Sequence, residues 1–242
     1  MNIGIFGATG RLGREIGAEI LLRKDMKLTA VLGRSSLGVD YGVVLGGAPL
    51  GVLVEAEAKG RLPDLFIDVS LREGLRERLT YGRPMVIGTT GFSEEERCLL
   101  KEAAKNTAIF YSSNFSLGMA LLKKMAADLA RLFPGEVCIE ETHHTKKKDA
   151  PSGSALSLAE AIEQVRPEIK VPIASIRLSE VVGEHVLTFR GVEEKLRIAH
   201  EACSRRVFAW GALAAAKFIM GKPPGLYGMD ELLAEKKETG AL

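Results

Sequence analysis

The chain lacks most of the features that place a protein by composition alone. Its three cysteines, Cys98, Cys138 and Cys203, are odd in number and far apart. They show neither metal-ligand spacing nor the density of a disulfide scaffold, so no metal site is expected and a reducing, cytoplasmic setting is. Charge of one sign is also scarce: 33 lysines and arginines against 31 aspartates and glutamates leave a net charge of +2. No broad basic field for nucleic acid follows from that balance. No apolar run is long enough for a bilayer; the longest, Val207 to Met220, is broken by Lys217 and reads as a buried helix. No secretory leader is expected, because Met1-Asn2-Ile3-Gly4-Ile5-Phe6 goes directly into a strand pattern. Internal repeats and low-complexity tracts are absent. A chain of 242 residues, 46% hydrophobic and 26% charged, is an ordinary globular composition with room for one large or two small domains.

The first half is punctuated by glycine and small polar residues. Asn2 to Phe6 is followed by Gly7-Ala8-Thr9-Gly10-Arg11-Leu12-Gly13, then by a helical pattern through Leu21, then by a second strand, Leu28 to Leu32. Strand, glycine turn, helix and strand within about thirty residues is the setting of a dinucleotide fingerprint, in which the helix N-terminus receives a pyrophosphate. The spacing here is Gly-x-x-Gly-x-x-Gly. An acid is expected about twenty residues on, to bond the ribose 2′-hydroxyl. Gly33 and Arg34 stand there instead, and Arg34-Ser35-Ser36 suits a 2′-phosphate; the alternative is an exposed loop arginine. NADPH is therefore expected to serve at least as well as NADH. Further strands, Asp64 to Val69, Arg83 to Ile87 and Thr107 to Tyr111, end at Ser70, at Gly88-Thr89-Thr90 and at Ser112-Ser113-Asn114-Phe115. Ligands of open α/β sheets gather beyond such strand ends, so these stretches form one expected bed. Ser93 with Glu96 has the spacing of a capping box.

The second half changes style. Leu117 to Phe133 is an amphipathic helix, and Glu136 to Thr142 is a strand that delivers His143. Then comes Glu141-Thr142-His143-His144-Thr145-Lys146-Lys147-Lys148-Asp149-Ala150-Pro151-Ser152-Gly153-Ser154, and a helix from about Gly153 to Val165. Three lysines beside a helix start make an anion trap, because the first amides of a helix have no partners within it. Gly153 allows close approach to the backbone. A histidine or lysine next to a bound anion can act as an acid. A solvated basic loop capped by Ser152 or Ser154 is the bland alternative. Strand patterns follow at Ile173 to Leu178, Glu184 to Phe189 and Lys195 to Ala202. Turns at Val182-Gly183 and Val192-Glu193-Glu194 suggest antiparallel neighbours. A sheet covered by helices on one face needs cover on the other, which a subunit interface supplies.

The expected fold is α/β: a Rossmann-like, doubly wound parallel sheet from residues 1–114 plus 215–242, and a second α+β domain on a mixed sheet from residues 115–214. The glycine turn, Gly88-Thr89-Thr90-Gly91-Phe92, Asn114-Phe115-Ser116-Leu117-Gly118, the His143-His144 to Ala155 stretch, Val182-Gly183-Glu184-His185 and Ser204-Arg205-Arg206 occur in this order. Together they resemble the dihydrodipicolinate reductase family, the 4-hydroxy-tetrahydrodipicolinate reductases, over nearly the whole chain. The resemblance implies NAD(P)H-dependent reduction of a small cyclic dicarboxylate in lysine and diaminopimelate biosynthesis. It makes His143 the acid–base residue and Lys147 the proton donor. His144, Lys147 and the backbone of Gly153 and Ser154 would hold the carboxylates. Gly7, Ala8, Thr9, Gly10, Arg11, Leu12, Gly88, Thr89, Thr90, Ser112, Ser113, Asn114 and Phe115 would line NADPH or NADH, with Arg34 near the adenosine ribose. The resemblance also implies a homotetramer joined through the second domain, with no membrane or nucleic-acid partner. Ser179 departs from the family, standing where glycine is usual. Two rival activities are another two-domain NAD(P)-dependent dehydrogenase of a small carboxylate, and a non-catalytic NADPH-binding regulator.

Overall fold

The structure, a computed structural model, describes residues 1–60 and 62–239. Arg61 and residues 240–242, assigned above to the first domain, lie outside the described residues. In chain order the elements are β1 (Asn2–Phe6), α1 (Arg11–Leu21), β2 (Lys27–Leu32), α2 (Tyr41–Val44), β3 (Val54–Glu55), β4 (Leu65–Asp68), α3 (Leu75–Leu79), β5 (Met85–Ile87), α4 (Glu94–Ala104) and β6 (Ala108–Tyr111). They continue with α5 (Leu117–Leu132), β7 (Glu136–His143), α6 (Gly153–Val165), β8 (Ile173–Arg177), β9 (Glu184–Arg190), β10 (Lys195–Glu201), α7 (Arg206–Ile219), β11 (Gly225–Tyr227) and α8 (Met229–Thr239). Among the described residues, no helix is long and apolar enough to cross a membrane.

Two compact units result: Met1–Phe115 with the segment from Phe208 onward, and Ser116–Val207. The return to the first unit falls at Phe208 rather than at 215. The reason is the packing of α7, most of whose residues from Ala209 on are buried, with Trp210 and Lys217 exposed. At Gly211 a Cβ would stand 1.7 Å from the Phe115 carbonyl oxygen, so the helix backbone lies directly on the end of the first segment.

The first unit is a seven-stranded sheet in the order β11-β6-β5-β4-β1-β2-β3, parallel throughout. Its central strands are short apolar runs, Leu65-Phe66-Ile67 and Met85-Val86-Ile87, buried to 1% exposure or less. Such runs belong in a parallel sheet covered on both faces. Strand order reverses between β1 and β4, and the carboxyl ends of those strands flank the natural crevice. The capping box is formed: Glu96 N–H donates to Ser93 Oγ at 3.2 Å, and Ser93 N–H donates to the Glu96 carboxylate at 2.7 Å. α2, β3 and α3 were not foreseen, because two to five residues carry no readable period.

The second unit is a mixed sheet ordered β10-β9-β7-β8. β9 runs antiparallel to β7 and β10, while β8 runs parallel to β7. The Val182-Gly183 turn therefore does not join sheet neighbours, which corrects the expectation above. α6 carries the chain across so that β8 lies parallel on one side of β7, and β9 takes the other side. Leu122 and Ala126 of α5 and Leu158 and Ile162 of α6 pack on Ile139, Leu187 and Phe189 of the sheet. Each of the large side chains contributes roughly 1.5–3 kcal/mol by leaving water. Alternate residues on the other face of β7, Glu136, Cys138 and Glu140, are exposed.

Candidate active site

In the first unit a cavity of about 620 Å³ lies beyond the carboxyl ends of β1, β2 and β4. Gly7, Thr9, Gly10, Arg34, Ser70 and Arg78 are among its lining residues. Gly7 has φ +77°, and a Cβ there would stand 2.8 Å from the Ser70 backbone. At Gly13 a Cβ would come within 2.2 Å of the Gly7 carbonyl, so the turn packs on itself only as glycine. The serines Ser93, Ser116 and Ser152 cap α4, α5 and α6 with their side chains, whereas Gly10 gives α1 no side-chain acceptor and no acid stands in its first turn. The leading amides of α1 are thus suited to a pyrophosphate, and the donor set fits a dinucleotide.

Two supports of this cavity were not legible in the sequence. The Tyr41 hydroxyl, fully buried, donates to the carbonyls of Ala8 at 2.9 Å and Gly13 at 3.0 Å, one on each side of the turn. Asp68, with no exposure, accepts from Arg78 Nε at 2.6 Å, and Arg78 also donates to the carbonyls of Glu73 and Leu71. No local pattern announces either contact. The structure also brings Glu57, Glu73 and Glu77 to the cavity wall, although no acid follows β2 directly.

The remaining expected cofactor residues are distributed as follows. Ala8 is buried, Leu12 is half-buried and Arg11 is exposed at the start of α1. Gly88, Thr89 and Thr90 lie at the end of β5 and Ser112, Ser113, Asn114 and Phe115 at the end of β6, outside the lining of this cavity. Thr89 Oγ1 donates to the Ser70 carbonyl at 3.0 Å, tying neighbouring strand ends together. The Phe115 ring is buried against Gly88, where a Cβ would be 2.4 Å from it, so this residue presents backbone.

In the second unit the charged stretch closes around Glu141. Period-two alternation sends Glu141 and His143 to the same side of β7, and both are buried. His143 Nδ1 bonds Glu141 Oε2. Glu141 Oε1 accepts from Arg177 Nη2 at 3.0 Å and from the Ser152 amide at 3.3 Å. Arg177, the register partner of His143 on β8, also donates to the carbonyls of Lys147 and Asp149. Lys147 Nζ lies 2.8 Å and 2.7 Å from the two Asp149 carboxylate oxygens. His144 is half-buried, and its Nδ1 has no hydrogen-bond partner among the described residues. Ser152 caps α6 through Ala155 N–H, Ser154 is half-buried, and Gly153 is exposed with open space where a Cβ would sit. A carboxylate thus has access to the start of the helix.

Burial pushes Glu141 up, but hydrogen bonds from Arg177, Ser175 and His143 outweigh it and hold the group below the ordinary glutamate range. His143 is pushed down by burial, drawn back by Glu141, and pushed down again by Lys147 and Arg177, with a net shift downward. His185 stacks edge-on to His143 with ring centroids 5.2 Å apart, and burial lowers it to about 4. Gly183 borders the imidazole: a Cβ there would be 3.0 Å from His143 Nε2. Glu141 was missed as a functional residue, although its two-residue spacing from His143 on a strand is the signal that could have found it. Arg177 carried no such signal, because its place depends on the pairing of distant strands. Ser179 has φ +48°, the left-handed region that favours glycine.

The family model for the N-terminus of dihydrodipicolinate reductase matches residues 1–115, and that for the C-terminus matches residues 117–233. A 4-hydroxy-tetrahydrodipicolinate reductase of Magnetococcus marinus is 37% identical over 98% of this chain and 99% of its own. One of Rubrobacter xylanophilus is 36% identical over 97% and 98%. Among solved structures, dipicolinate-bound dihydrodipicolinate reductase from Paenisporosarcina sp. TG-14 aligns with a TM-score of 0.78 and 27% identity, covering 94% of this chain and 97% of that one. A probable dehydrogenase from Thermotoga maritima, at 10% identity and TM-score 0.68 over 96% and 92%, shares the fold alone. Matched in both halves and related along almost its full length, this chain belongs to the dihydrodipicolinate reductase family, NAD(P)H-dependent oxidoreductases of lysine and diaminopimelate biosynthesis.

Proposed function

We propose that the chain reduces 4-hydroxy-tetrahydrodipicolinate to tetrahydrodipicolinate through His143 and Lys147. The observation that carries this reading is the pairing of His143 with a buried carboxylate beside the Lys147–Asp149 pair and the open start of α6. Bound NAD(P)H supplies the hydride; one proton is taken up and one water is lost per turnover. The substrate is a dicarboxylate, and two anionic groups need two sets of donors. The backbone at Gly153 and Ser154 serves one, and Lys147 with His144 serves the other. Lys147 leaves Asp149 for the substrate and is the proton donor. His143 is neutral before substrate arrives, because burial and two cations hold its pKa down. A bound dianion favours its protonated form, which makes it an acid only in the loaded site. The dipicolinate held by the Paenisporosarcina relative is a dicarboxylate of this kind, and we infer that it competes with substrate here.

Arg34, exposed at the mouth of the cavity after β2, meets the 2′-phosphate of NADPH, so that NADPH serves at least as well as NADH. The enzyme acts in the cytoplasm; all three cysteines are free and exposed. It assembles as a homotetramer through the open face of the second sheet, which light scattering would measure. The first experiment follows nicotinamide absorbance with substrate generated from pyruvate and aspartate semialdehyde. His143→Gln should lower kcat by about 10²-fold or more while KM changes little. Lys147→Ala should damage both parameters. Near-full activity of His143→Gln overturns the acid–base role, and a markedly lower KM for NADH than for NADPH overturns the assignment of Arg34.

A further inference from the structure

We propose that Glu141 is a positioning residue for the reduction: one buried carboxylate fixes His143 through Nδ1 and, through Arg177, fixes the backbone that carries Lys147 and Asp149. The proposal rests on the acid–base reading of His143 and deepens it. A carboxylate only accepts, so the proton between Glu141 Oε2 and His143 must sit on Nδ1. That leaves Nε2 as the nitrogen able to exchange a proton with substrate. Nε2 is the ring atom nearest to Gly183, at 3.0 Å from where a Cβ would be, so a side chain at position 183 would press on it.

The other oxygen of Glu141 reaches the second acid. Arg177 Nη2 bridges Glu141 Oε1 at 3.0 Å and the Asp149 carbonyl, and its Nε donates to the Lys147 carbonyl at 3.3 Å. Ser152 N–H, at the cap of α6, bonds the same Glu141 oxygen at 3.3 Å. Histidine, lysine segment and helix start therefore converge on one side chain with 0% exposure. Stability alone gives little reason for such an ion, since replacing a buried charged pair by apolar residues is often neutral.

The groups facing His143 are Glu141 on β7, Lys147 in the loop, Arg177 on β8 and His185 on β9. Removing the Glu141 charge leaves only cations and imidazole around the ring. Glu141→Gln should thus lower kcat on the order of 10²-fold and move the limb of the pH profile governed by His143 to lower pH. NADPH binding, read by its fluorescence, should stay unchanged. In a His143→Gln background the second substitution should cost far less than it does in the wild type, because the path through the ring is already gone and only the Arg177 path to the Lys147 backbone remains. Should Glu141→Gln fold poorly with Arg177 unpaired, Glu141→Gln combined with Arg177→Met removes both charges, and the same fall in kcat is expected.

Activity of the neutral pair or of Glu141→Gln within about 3-fold of wild type, with His143→Gln slow, overturns this proposal and leaves the role of His143 standing. So does an independent, multiplying loss in the His143→Gln background, which is the mark of a merely structural group. Full activity of His143→Gln brings down both readings together.

Discussion

The two units bury a carboxylate in the same way and use it differently. Asp68 ends β4 and Glu141 lies near the end of β7, each with 0% exposure and each paired with an arginine. In both, that arginine also binds carbonyls of a nearby loop, Leu71 and Glu73 in one case, Lys147 and Asp149 in the other. The difference is in what else the carboxylate accepts. Asp68 takes the amide and hydroxyl of Ser70, at 3.0 Å and 2.6 Å, so every bond serves the wall of the cavity. Glu141 takes an imidazole. On the roles proposed above for His143 and Glu141, a loop-pinning ion pair becomes part of a catalytic site when one of its oxygens is turned toward a group that can move a proton.

Breaking each pair from the arginine side separates the two uses, and it carries the largest expected effect. Arg78→Ala leaves Asp68 without its cation, at a cost of about 3–5 kcal/mol in urea unfolding. Arg177→Ala leaves Glu141 with His143, Ser152 N–H and Ser175, so the loss should be smaller, about 1–3 kcal/mol. Turnover should show the opposite order, with Arg177→Ala the slower enzyme once both are folded. Equal losses in stability, or a slower Arg78→Ala enzyme, would dissolve the distinction.

Acid should sharpen the comparison, because all four histidines lie between residues 143 and 200, in the second unit. Burial lowers His185 to about 4 from an ordinary 6.5, and it also lowers His143 and His200. A histidine whose folded pKa is depressed gives its full stabilisation above 6.5 and loses it as pH falls toward the folded value. Glu141 follows the same direction at lower pH, losing its contribution below 4.5. From pH 7 to pH 5 His185 alone should remove about 2 kcal/mol. Hydrogen exchange should show this loss in amides of the second unit, and His185→Gln should flatten it. Equal deprotection of the first unit would contradict the assignment.

What was legible in the sequence follows from how each site is made. Glycine at strand ends is a backbone requirement, so the cofactor turn and its helix could be read directly, as could α6, where Ser152 precedes an apolar period. Residue types singled out His143 and Lys147 as candidates. The wiring between them was hidden, because Arg177 reaches His143 through the β7–β8 register, and register is set by packing rather than by neighbours in the chain. The assumption that the Val182-Gly183 turn joined adjacent strands failed for the same reason. Tyr41 and Arg78 are single side chains whose partners are distant carbonyls, and nothing in their local sequence marks them.

The smallest expected effect tests whether the first site is held by its backbone alone. Tyr41→Phe keeps the ring that fills the space beside Gly17 and removes only the hydroxyl. The carbonyls of Ala8 and Gly13 then lose a donor inside the protein, which should cost about 1–2 kcal/mol. Because those carbonyls bracket the glycine turn, the loosened turn should raise KM for NADPH severalfold while kcat holds. A loss of stability with unchanged cofactor KM would mean that Gly7, at φ +77°, and the Gly7–Gly13 contact fix the turn without help. The first site would then owe its geometry to chain conformation, and the contrast with the side-chain wiring around Glu141 would be complete.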